Sequence, residues 1–64
     1  MYEVTAWNNG VQKTMPDYFD DLELAIMYAN GIVNYKLFGR FQYDEAHVAL
    51  TDTGEVLEVV RREN

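Results

Sequence analysis

The sequence predicts a small α+β domain, an antiparallel sheet of two hairpins packed on one helix in the order β-β-α-β-β. Three observations predict it. Asn9-Gly10 follows an alternating apolar segment, Asp20 and Glu23 open an amphipathic stretch, and Asp52-Thr53-Gly54 separates two apolar runs. The 64 residues allow one domain, spanning 1–64.

Tyr2, Val4 and Ala6 alternate with Glu3, Thr5 and Trp7, as in a strand with one face buried. Asn9-Gly10 suits a two-residue hairpin turn whose central positions both need positive φ. Pairing across it sets Asn8 opposite Val11 and Val4 opposite Met15, so Val11 and Met15 are expected on the buried side with Tyr2, Val4 and Ala6. Pro16 lacks an N–H for the ladder and is expected to end the second strand near Met15.

Asp20 fits a helix N-cap, with Glu23 at the third helical position to complete a capping box and Phe19 stapled onto Leu24. Leu22, Ala25, Ile26 and Ala29 make the buried stripe. Asn30-Gly31 offers a left-handed C-cap; Ile32 and Val33 either add a turn or pack just beyond it. Residues 34–45 carry no helical stripe and read as a loop entering a strand. Ala46 to Thr51 and Val56 to Arg61 are expected to be strands joined by a three-residue turn with Gly54 left-handed. Ala46, Val48, Leu50, Val56 and Val60 fall on one face of this hairpin, and Ala49, Leu57 and Val59 on the other.

A chain this short buries only about 60% of its unfolded surface. Roughly 4,000 Å² of apolar burial, at about 25 cal/mol/Å², nearly cancels about 1.5 kcal/mol of conformational entropy per residue. There is no Cys and only one His, so neither a disulfide nor a structural zinc site adds stability. The second apolar face of the last hairpin therefore needs a cover, either the first hairpin folded over it or self-association through Leu57 and Val59 as a homodimer. Met1-Tyr2-Glu3-Val4 is neither basic nor continuously apolar, and no stretch suits a signal peptide or a membrane span, so a cytoplasmic protein is expected.

Eleven carboxylates face five Lys and Arg, for a net charge of −6. Residues 14–35 hold Asp17, Asp20, Asp21 and Glu23 without one base, and residues 41–60 hold Asp44, Glu45, Asp52, Glu55 and Glu58 without another. Such a field repels free nucleic acid and anionic membranes and suits a basic partner. Two readings stand beside each other: carboxylates standing in for nucleic-acid phosphates, with Asp17, Asp20, Asp21, Glu23, Asp44, Glu45, Glu55 and Glu58 as the partner-binding set, or carboxylates that solvate the fold and favour the helix start.

Asp17-Tyr18-Phe19-Asp20-Asp21 lacks the alternation and glycine of a calcium loop, and His47 has no Ser, Cys or second His near it in sequence. No catalytic residue, cofactor or metal is expected, and the chain reads as non-enzymatic. Tyr35, Phe38, Phe41 and Tyr43, interleaved with Lys36 and Arg40, give residues 35–43 the composition of a stacking platform for single-stranded nucleic acid.

Ala6-Trp7-Asn8-Asn9-Gly10, Phe19-Asp20-Asp21-Leu22-Glu23-Leu24-Ala25 and Asp52-Thr53-Gly54-Glu55-Val56 together resemble small acidic accessory proteins of bacteriophages. Such proteins often bind and inhibit a host factor, some by imitating DNA. The resemblance implies an inhibitor of a host protein and assigns no individual residue. A structural or assembly subunit is the alternative class.

Overall fold

A computed structural model describes residues 1–62. The fold is α+β. Among the described residues seven strands and one helix follow in the order β1 (Tyr2–Asn8), β2 (Val11–Gln12), β3 (Asp17–Phe19), α1 (Leu22–Asn34), β4 (Lys36–Leu37), β5 (Arg40–Phe41), β6 (Glu45–Leu50) and β7 (Val56–Arg61). The main sheet runs β2-β1-β6-β7, with β3 also pairing along β1; β4 and β5 form a separate two-stranded ribbon. No helix among the described residues is long and apolar enough to cross a membrane.

The Asn9-Gly10 turn forms as its chemistry dictates, with φ of 53° and 76°, and Asn8 stands opposite Val11. Beyond Lys13, whose N–H still meets the Ala6 carbonyl, the expected register fails. The Thr14 hydroxyl accepts the Ala6 N–H at 2.9 Å, Pro16 lacks a donor, and the chain loops outward. It returns as β3 with Asp17, not Met15, opposite Val4. Met15 is consequently exposed rather than buried, and Val11, though paired as expected, is exposed at the sheet edge as well.

Helix α1 begins one residue later than the sequence suggests. Asp21 is the N-cap, its side chain accepting the Glu23 N–H at 2.9 Å, so the Asp20–Glu23 capping box does not form. Leu24 is half exposed and no Phe19 staple holds it. The helix continues through Gly31, because Val33 is completely buried and Ile32 packs on the core; Tyr35, not Gly31, is its C-cap. Arg62 donates to the Val33 carbonyl at 2.8 Å and to that of Tyr43 at 2.6 Å, supplying a cation where the helix's own last turn has none.

Val4, Ala46, Val48 and Val60 from the sheet meet Ala25, Ala29 and Val33 from the helix, with Tyr2, Phe19, Leu22, Ile26 and Ile32 around them. Alanines at two successive turns of α1 let it lie close against the sheet. The two expected hairpins are not stacked: β1 pairs with β6 from Tyr2–Leu50 to Trp7–Glu45, making one continuous layer. A register shift at Val48/Ala49 sets Val56 opposite Ala49, so Val56 leaves the buried face it was assigned, and Val60 alone of β7 is buried.

Residues 34–45 hold an unforeseen hairpin. Lys36 pairs with Phe41 and Leu37 with Arg40, around a turn in which Phe38 and Gly39 have φ of 52° and 76°. Positive φ is expensive for a bulky side chain.

Candidate binding surfaces

Antiparallel pairing sorts the charged residues between two ends of the sheet. Tyr2 lies opposite both Leu50 and Phe19, and the Thr51 N–H donates to the Met1 carbonyl at 3.1 Å. The start of α1 and the β6–β7 loop therefore share this end, with Asp20, Asp21, Glu23, Asp52 and Glu55. At the opposite end the helix finishes, the β4–β5 ribbon projects and β7 leaves the sheet, bringing together Lys36, Arg40, Arg61 and Arg62. The fifth base, Lys13, lies at the sheet edge, its N–H donating to the Ala6 carbonyl at 2.8 Å.

The carboxylates picked out by the sequence divide accordingly. Asp20, Asp21, Glu23 and Glu55 are gathered and exposed, and Glu58 is exposed on the strand leading away from them. Asp17 accepts the Tyr28 hydroxyl at 2.8 Å. Asp44 and Glu45 lie at the other end in structural contacts. Asp44 Oδ2 accepts the Asn9 N–H at 3.0 Å and braces the first turn, while its Oδ1 is buried with no partner among the described residues. Glu45 Oε1 is 2.9 Å from His47 Nε2, and Oε2 accepts the Arg61 Nε–H at 3.1 Å.

On the sheet face away from the helix, Trp7 stacks on His47 with ring centroids 4.4 Å apart, and its indole N–H donates to Thr5 Oγ1 at 2.9 Å. Glu45 thus orients His47, a partner that a two-residue offset along one strand makes legible in the sequence. No nucleophilic side chain is bonded to that imidazole among the described residues, and no group of three or more His, Cys, Asp or Glu converges there to hold a metal. Leu57 and Val59 belong to this outer strand and are partly exposed.

Two further features stand out, one at Phe38, already named in the stacking platform, and one that was not foreseen. Phe38 is 95% exposed at the tip of the β4–β5 ribbon. Behind it Phe41 lies between two cations, with Lys36 Nζ 4.8 Å and the Arg62 guanidinium 3.9 Å from its ring centre. The other feature is an open apolar groove of 380 Å³ on the outer side of α1, lined by Tyr28, Gly31, Ile32 and Tyr35. A charge-free run from Leu24 to Tyr35 was its signal in the sequence. The Tyr28 phenol has its pKa raised, first by the hydrogen bond to Asp17 and then by burial and that carboxylate's charge.

The chain matches no protein-family model, no curated protein and no solved structure.

Proposed function

We propose that this chain is a non-enzymatic binding protein, an inhibitor whose acidic end occupies the nucleic-acid-binding surface of a basic host protein in the cytoplasm. The observation that supports it is the gathering of Asp20, Asp21, Glu23, Asp52 and Glu55 at the end of the sheet away from four of the five bases. Carboxylates held on a strand loop and a helix start keep fixed spacing, so a basic groove meets them without ordering them first. Counterions released from that groove favour the complex, as they do when the groove takes up phosphates.

A salt-gradient pull-down from bacterial lysate tests the reading. A basic nucleic-acid-binding protein, eluting at moderate salt and displaced by duplex DNA, is the expected result. Recovery of partners indifferent to salt and to DNA would reject it.

A second reading has a specific observation behind it. Phe38 stands exposed between Lys36 and Arg40, as a base-stacking side chain would, so the ribbon is a candidate contact for single-stranded nucleic acid. Titration of a labelled single-stranded oligonucleotide separates the two. Tight binding abolished by Phe38→Ala favours the ribbon and counts against mimicry; no binding leaves the acidic end as the working surface.

A further inference from the structure

Helix α1 is apolar on two sides. Ala25, Ala29 and Val33 are buried against the sheet, while Leu24, Met27, Tyr28, Gly31 and Tyr35 form a second stripe at the spacing of one continuous helical seam. Met27, at its middle, is 67% exposed. No residue from Leu24 to Tyr35 carries a charged side chain. The exposed asparagines nearby fold back on the helix's own backbone: the Asn30 amide donates to the Ile26 carbonyl at 3.0 Å and the Asn34 amide to the Asn30 carbonyl at 2.8 Å.

Gly31 sharpens the case. Glycine is among the least favourable residues in a helix interior. Its φ here is not left-handed, and a β-carbon built on it meets nothing within 4 Å. Nothing within the described chain requires the missing side chain. A body seated in the groove from outside would gain from it, because glycine leaves the helix backbone open to close approach.

We propose that this body is a second copy of the chain, the two α1 helices packing antiparallel across a two-fold axis through the seam. The charge distribution selects this occupant and this direction. The helix runs from the acidic end to the basic end, so antiparallel copies bring Lys36 and Arg40 of each toward Asp20, Asp21 and Glu23 of the other. A parallel pair sets acids against acids and bases against bases. The only carboxylate bonded to a seam side chain among the described residues is that of Asp17, which accepts the Tyr28 hydroxyl and so keeps a partner when the seam is covered. A two-fold contact is also self-complementary, with Met27 of each copy facing the groove of its partner, and methionine fills irregular space well. This interface is separate from Leu57 and Val59 and does not depend on the inhibitor reading. Asp52 and Glu55, in the β6–β7 loop, lie outside it.

Sedimentation equilibrium of the full chain over a wide concentration range tests the proposal. A dimer is expected, weakening with salt. Met27→Lys, at an exposed position that leaves the monomer fold intact by circular dichroism, is expected to weaken it at least tenfold. Gly31→Ala is expected to raise the thermal midpoint of the dilute monomer yet weaken association, a pairing of effects that a purely local role for Gly31 would not give. Lys36→Glu with Arg40→Glu is expected to weaken the dimer, and adding Asp20→Lys with Glu23→Lys to restore it. A monomer at every concentration, or a dimer unaffected by Met27→Lys and broken by Leu57→Lys, would overturn the proposal.

Discussion

The Tyr28 hydroxyl donates to Asp17 Oδ2 at 2.8 Å and so ties the middle of the helix to the short strand that returns along β1. The Tyr28 ring also packs on Phe19, with centroids 5.1 Å apart, so one side chain joins helix and strand by two contacts. The rest of the hold on β3 comes from its pairing along β1 and from Phe19 against the core, since Asp17 and Tyr18 are exposed.

The raised Tyr28 pKa has a definite sign. The phenol is the protonated form and its folded-state value lies above the ordinary 10.0. The stability it contributes is therefore complete below that ordinary value and is lost as pH rises through the raised one. Alkaline titration of phenolate absorbance should show one tyrosine ionising late, and Tyr28→Phe should remove that step. Because the bond is exposed, Tyr28→Phe should cost no more than about 0.5 kcal/mol at neutral pH, read by urea unfolding.

The helix cap is tested by neighbouring substitutions. Asp21→Ala should cost about 1 kcal/mol in chemical denaturation, and Asp20→Ala close to nothing, because Asp21 alone accepts the Glu23 N–H. Equal effects at both positions would contradict the assigned cap.

Ala29 is completely buried between helix and sheet. Ala29→Leu should force α1 off the sheet and cost about 3 kcal/mol, whereas Met27→Leu, two residues away on the outer face, should be nearly neutral. Thermal unfolding of the two variants checks this.

Phe38 occupies a left-handed position that asparagine tolerates better. Phe38→Asn should recreate the Asn-Gly turn chemistry of residues 9 and 10 and stabilise the protein by about 1 kcal/mol. A gain in stability accompanied by loss of partner binding would show that the exposed ring is retained for contact.

The acidic-end reading divides the carboxylates by consequence. Asp52→Asn, Glu55→Gln and Asp20→Asn in combination should slow association with a basic partner severalfold and leave stability within about 0.5 kcal/mol. Asp44→Ala should instead destabilise, because the Asn9 N–H loses its acceptor. Stopped-flow association rates beside unfolding curves distinguish the two classes.

Local rules written in one or two residues were legible before the structure. Asn9-Gly10 is a turn because asparagine and glycine both accept positive φ, and Gly54 is left-handed for the same reason. Phe38-Gly39 makes a similar turn but was hidden, because nothing in phenylalanine advertises positive φ. Gly31 read as a stop although burial of Val33 carries the helix through it; tertiary packing outweighed propensity there. The register beyond Lys13 was illegible since it rests on one hydroxyl, that of Thr14, replacing a backbone partner. The binding surfaces were half legible. Acidic blocks were plain in the sequence, but pairing of β1 with β6 sends Asp44 and Glu45 to the basic end, and no linear count of charges contains that fact.

The position of β1 has a consequence for how the chain acquires its shape. Strand β1 precedes all its partners in sequence yet is an inner strand, flanked by β2 and β3 on one side and by β6 on the other. Its early partners arrive within a few residues, but the ladder from Tyr2–Leu50 to Trp7–Glu45 must wait until residues 45–50 have been made. The principal barrier is thus a long loop closure, and folding should be slower than for a helical bundle of equal length. Until β6 arrives, one edge of β1 stays unpaired and open to wrong pairings between nascent chains.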